Sequence, residues 1–154
     1  MTTRREFLAV AGGLAGGIGL ACAAGRAHAT PDSMQEAIRK LTGGAPVRRG
    51  RVKLDVPPLV DNGNTVPLSV TVESPMTPQD HVKAIHVFTQ KNPLPSVISA
   101  FFGPRAGRAS FSTRVRLVDT QPLVAIAQLS DGSFWSGSVE VVVTLSACLE
   151  EGLI

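Results

Sequence analysis

A chain of 154 residues has room for one domain with a full core, and not comfortably for two. Aromatic side chains make up 5%, Tyr is absent and Trp135 is the single tryptophan, so the core has to be built from Val, Leu, Ile and Ala. Three of the 15 Lys and Arg but one of the 12 Asp and Glu fall in the first 29 residues, which leaves +1 on the remainder and excludes nucleic-acid binding driven by counterion release.

Residues 1–29 read as an export leader. Arg4 and Arg5 precede Phe7 and Leu8, an uncharged stretch runs from Leu8 to Gly25, and Ala27-His28-Ala29 offers small side chains at a cleavage position. The paired arginines, and six glycines within the apolar stretch, point to a Tat-type signal peptide and hence to the periplasm. Its 18 uncharged residues reach the lower limit for a membrane span, but glycine at this density makes them a poor anchor. No stable membrane association is therefore expected after cleavage. Leu20-Ala21-Cys22 loosely resembles a lipobox, with leucine one place too close to the cysteine.

Residues 33–41 place Met34, Ile38 and Leu41 at helical spacing. Ser33 is the expected cap, Glu36 its capping-box partner, and Gly43-Gly44 the stop. Seven stretches rich in β-branched residues follow: 51–56, 65–73, 82–89, 97–102, 109–117, 123–129 and 133–144. Asn62-Gly63-Asn64 and Asp131-Gly132 supply residues that accept positive φ, while Pro75, Pro78, Pro93 and Pro95 interrupt pairing between strands. Phe111, Thr113, Val115 and Leu117 alternate with polar residues, as in a sheet with one wet face. Val141-Val142-Val143 breaks that alternation and suggests an end covered on both faces. The expected fold is all-β, an immunoglobulin-like β-sandwich of about seven strands over residues 30–145 with a short N-terminal helix.

The spacing of chemical groups argues against an enzyme. His81 and His86 are five apart, which in an extended strand sends them to opposite faces and makes a poor metal site. His81 reads as a loop residue and His86 as a strand histidine with a backbone partner. Neither a zinc-type cysteine spacing nor a phosphate-cradling glycine loop is present, so no cofactor is expected. Loss of the leader removes Cys22 and leaves one thiol, Cys148, six residues from the carboxyl end. An exported protein with a single thiol has three uses for it: intermolecular pairing, a chemical role, or service as a small buried hydrophobe. Its position beyond the last expected strand, on an arm spanning 146–154, favours exposure.

Several runs carry a family resemblance: Arg51-Val52-Lys53-Leu54-Asp55, Asn62-Gly63-Asn64-Thr65-Val66-Pro67, Val72-Glu73-Ser74-Pro75-Met76-Thr77-Pro78, Ser112 to Leu117, Leu129 to Phe134, and Val141 to Thr144 before the cysteine. From Glu36 to Cys148 the chain resembles the SoxY carriers of thiosulfate oxidation. The resemblance implies a heterodimer with a SoxZ-like protein. It implies too that Cys148 is the covalent attachment point for sulfur species, served by a haem enzyme, a manganese hydrolase and a dehydrogenase of the Sox system. The surroundings of Cys148 depart from the family, which ends in Gly-Gly-Cys-Gly-Gly; here the run is Ser146-Ala147-Cys148-Leu149-Glu150-Glu151. A bulkier, acidic arm leaves open an alternative, a SoxY-like interaction module of a SoxZ-type protein that no longer shuttles cargo.

Overall fold

The computed structural model describes residues 29–145. It opens on helix α1, Pro31–Thr42, which starts two residues before the expected stretch 33–41. The cap is Thr30 and not Ser33: the Thr30 hydroxyl accepts from the Ser33 N–H at 3.2 Å, and the Ser33 hydroxyl accepts from the Thr30 N–H at 2.7 Å. Ser33 is thus the reciprocal partner in the capping box, and Pro31 takes the first turn, where its missing N–H costs nothing. Glu36, released from capping, pairs with Lys40 one turn on at 2.8 Å. Gly43, in the left-handed region at φ 61°, ends the helix.

Nine strands follow: β1 Val47–Arg49, β2 Val52–Asp55, β3 Leu59–Asn62, β4 Val66–Val72, β5 Val82–Thr89, β6 Ser96–Phe101, β7 Ala109–Val115, β8 Gln121–Leu129 and β9 Phe134–Leu145. All seven expected strands are present. The two additional ones, β1 and β3, are three and four residues long. Both lie parallel to β9 and on its edge, β1 beside Phe134–Ser136 and β3 beside Val142–Leu145. The larger sheet runs β1-β9-β8-β5-β6 with β3 also on β9, and the smaller is β2-β4-β7.

The two sheets face one another across the main core. Val66, Leu68, Val70 and Val72 of β4, two residues apart, supply one side, and Leu123, Ala125, Ala127 and Leu129 of β8 the other. A register shift between Val82 and Ala84 in β5 lets Val82, Ile85 and Val87 all reach this core despite their uneven spacing. The outer face of the larger sheet carries a second, smaller core, where Met34 of α1 packs with Phe88, Ile126 and Phe134. β5 and β8 are therefore apolar on both faces. The outer face of the smaller sheet is wet: Ser69 and Ser112 pair at 2.8 Å, and Thr71 and Ser110 at 3.0 Å.

The expectation that the end of β9 is covered on both faces is not met. Val141 and Val143 are buried in the main core, but Val142 points outward and is 44% exposed, beside Leu59 of β3. Helix α1 covers the middle of that outer face and leaves this end open. Gly137 belongs to the inward row of β9 where β2 crosses it. A Cβ there would collide with the Val52 carbonyl oxygen, so glycine permits the close approach of the two sheets. No helix among the described residues is long and apolar enough to cross a membrane.

Candidate functional site

Cys148, the attachment residue expected from the sequence, lies outside the described residues, as do Cys22 and the leader through His28. What the structure describes is the root from which residues 146–154 depart. The last strand is held to its final residue: the Gly63 N–H donates to the Leu145 carbonyl at 2.9 Å, and the Thr144 hydroxyl donates to the Asp61 carbonyl at 3.2 Å. On the opposite flank the Val143 N–H donates to the Thr120 hydroxyl at 3.0 Å. β9 is therefore fixed up to a point three residues before Cys148, a distance of about 10 Å of extended chain.

A buried polar cluster supports that root. The Asn92 side chain donates to the Arg116 carbonyl at 2.8 Å and accepts from the Val118 N–H at 3.2 Å and from the Gln121 amide at 3.0 Å. The Gln121 side-chain oxygen accepts in turn from the Lys91 N–H at 2.8 Å. These bonds join the β5–β6 and β7–β8 connections, and so fix Thr120 where it meets β9. The adjacent Asp119 carboxylate is held below the usual carboxylate range by its 2.8 Å bond to the Lys91 ammonium and by the Thr120 N–H. Around the same end of the sandwich Leu59, Val142 and Leu145 are exposed.

Sequence reading missed this support. Asn92 stands before Pro93 and reads as an ordinary turn residue, and Thr120 carries no signal of its own. An asparagine with four side-chain bonding positions, placed between a strand and a proline-rich connection, is the one hint that a loop is tied inward.

The histidines are engaged separately. His81 Nδ1 lies 3.2 Å from the Thr77 carbonyl in the loop before β5. His86 points to the outer face, and its partner is a side chain instead of the backbone: Nδ1 lies 2.7 Å from the Ser99 hydroxyl on β6. That bond is available because β5 and β6 pair with His86 directly opposite Ser99. Burial pushes the His86 imidazole below its ordinary value. No three metal-ligating side chains gather among the described residues.

Comparison with known proteins agrees with this architecture. The family model described as "Sulfur oxidation protein SoxY" matches residues 38–148. Among solved structures, that of the sulfur carrier protein SoxY from Chlorobium limicola f thiosulfatophilum is 27% identical, covering 75% of this chain and all of that one, with a TM-score of 0.63. Superoxide reductase (neelaredoxin) from Ignicoccus hospitalis, 20% identical over 75% of this chain and 94% of that chain with a TM-score of 0.51, shares the fold alone. The same holds for superoxide reductase from Nanoarchaeum equitans, 11% identical over 62% of this chain and 100% of that chain, TM-score 0.51. No curated protein matches the sequence. A family match across most of the chain, on an immunoglobulin-like sandwich that spans the whole of a solved SoxY and 75% of this chain, leaves one conclusion: the chain belongs to the SoxY family of sulfur oxidation proteins.

Proposed function

We propose that this chain is a periplasmic carrier of the Sox system, exported by the Tat route, that holds thiosulfate-derived sulfur covalently on Cys148. The observation that carries the reading is the contrast at Leu145. The strand is bonded on both flanks as far as Val143 and on the β3 flank to Leu145, and the single thiol expected in the mature chain follows three residues later. A fixed root aims a short arm, and an arm of about 10 Å can enter another protein's cleft while the sandwich stays outside. Loading forms a disulfide between the Cys148 sulfur and the outer sulfur of thiosulfate. The thiol gives up its proton, and two electrons pass to a haem enzyme. A manganese hydrolase then releases sulfate, and a dehydrogenase oxidises the sulfane that remains.

The catalytic groups belong to those enzymes, because a thiol near a chain end brings no base or oxyanion pocket of its own. A SoxZ-like partner completes the carrier. The edge strand β6 supports such pairing: residues 92–104 contain no charge to guard the edge, and Phe101 is 78% exposed upon it.

The tail itself favours a second reading. Leu149, Glu150 and Glu151 replace the slender glycines of the family, and their bulk and negative charge oppose entry into a narrow cleft that receives anions. On that reading the chain is a non-shuttling module that keeps the sandwich and the SoxZ-type interface. One measurement separates the two. The mature protein with its SoxZ-like partner is exposed to thiosulfate and the haem enzyme, and its intact mass is recorded beside Cys148→Ser. Carriage predicts mass additions that the serine variant lacks; an accessible thiol that stays unmodified where a glycine-armed carrier loads supports the interaction module.

A further inference from the structure

At the end of β9 opposite the arm, Arg48 and Arg51 lie over Trp135, and Arg49 stands opposite Ser136 beside them. Arg51 lies 4.8 Å and Arg48 5.7 Å from the centre of the indole ring, within cation–π range. All three arginines are exposed, and none of their guanidinium groups makes an ion pair or hydrogen bond with another described residue. The stacking restrains the side chains of Arg48 and Arg51. The carboxylates nearby are Asp131 and Glu73. Asp131 accepts from the Ser133 N–H at 2.8 Å, and its carboxylate is held below the usual range by the Ser133 hydrogen bonds first and by the charges of Arg51 and Arg48 as well, so it offsets part of the patch's positive charge. Glu73 meets Arg51 through its backbone N–H.

The backbone of Arg51 is the second observation. Its φ of 58° is left-handed, a conformation that a residue with a Cβ adopts at a cost and that glycine adopts freely. Met76, the other such residue among those described, is buried in the main core, where packing offsets the cost. Arg51 is exposed, and what its side chain packs on is the face of Trp135. Strain of this kind, kept at a surface side chain with free donors, is a mark of a binding site.

The edge of β9 beside the patch is also open. Ser136 uses its carbonyl on Gly50, and Val142 uses its N–H on the Pro58 carbonyl. By the two-residue period of a strand, Ser138 turns its backbone groups to the same edge, where β1 has ended and β3 has not begun. A recess of about 240 Å³ lined by Arg49, Gly50, Ser136, Gly137 and Ser138 lies there. Glu140, two residues further on, bounds the patch with a negative charge.

We propose that Arg48, Arg51 and Trp135, together with Arg49 at the adjoining recess, form a docking site for an acidic, extended segment of a partner protein. An isolated small oxyanion gains little from exposed and screened guanidinium groups, whereas several carboxylates held on one chain add their contributions. From Ser136 to Leu145 the strand covers about 30 Å, so a partner held here leaves the arm unobstructed. The site would tether the carrier while its other end is processed.

Trp135, the only tryptophan in the chain, reports directly on the site. The mature Cys148→Ser protein is titrated with a blocked peptide of alternating glutamate and serine, followed by tryptophan emission and in parallel by calorimetry. Using the serine variant separates this test from the question of cargo carriage. Saturable binding, weakened by added salt and by about tenfold in Arg48→Gln/Arg51→Gly, is expected. Glycine at 51 suits the left-handed backbone, so Arg51→Gly alone should keep the parent melting temperature while losing affinity. Absence of binding, equal binding of the glutamine–serine peptide, or unchanged affinity in the arginine variants overturns the proposal. Saturation by sodium sulfate or thiosulfate at equal concentration overturns it in favour of a free-oxyanion site.

Discussion

Single residues set the tolerances of this sandwich. Gly137 stands where β2 crosses β9, and a methyl group there would meet the Val52 carbonyl. Gly137→Ala should lower stability by about 2 kcal/mol or more, read as a fall in the midpoint of thermal or urea unfolding. His86 sets a pH dependence. Its folded pKa lies below the ordinary 6.5 because burial disfavours the imidazolium. As pH falls through 6.5 the unfolded chain takes up a proton that the folded chain resists, so stability is lost on acidification from that point down to the folded pKa. His86→Gln should flatten this part of the stability–pH profile, as measured by urea unfolding between neutral pH and pH 5.

At the scale of elements, the division of labour is between strands that alternate and elements that cover them. α1 turns Met34 into a small core with Phe88, Ile126 and Phe134, and this explains why β5 and β8 are apolar on both faces. Met34 is 3% exposed, so Met34→Ala removes a buried side chain and leaves a cavity under the helix. A loss of about 2–3 kcal/mol is expected by calorimetry or chemical unfolding. Because the main core lies on the other face of the sheet, the variant should keep its far-UV circular dichroism spectrum. β1 and β3 do another kind of work. They guard opposite ends of the β9 edge, and β3 delivers the Gly63 N–H that holds Leu145.

Across the whole molecule, the two ends of β9 differ in character. One end is a basic surface around Trp135, and the other is the clamped root of the arm, ringed by the exposed Leu59, Val142 and Leu145. Hydrogen bonds among the described residues hold the root. A chain ending at Leu145 should therefore melt within about 0.5 kcal/mol of the parent in stability and lose all thiosulfate-dependent mass addition. A large fall in melting temperature on truncation would instead show that the tail packs on the exposed leucines.

The order of residues was enough to locate seven of the nine described strands and the helix, because alternation, β-branching and turn chemistry are local properties. Cys148 is the attachment residue expected from the sequence, by counting thiols beyond the leader, and it lies outside the described residues. The helix cap was legible only in part: Ser33 was the right residue in the wrong role, because two hydroxyls in reciprocal bonding leave similar traces in sequence. Three-dimensional packing alone decided the rest. Whether Val142 is buried depends on how far α1 extends over the sheet, and Thr120 reaches β9 only because Asn92 and Gln121 tie two loops together. The meeting of Arg48 and Arg51 at Trp135 joins residues more than 80 positions apart. Contacts of that separation are set by sheet topology, and no periodicity along the chain encodes them.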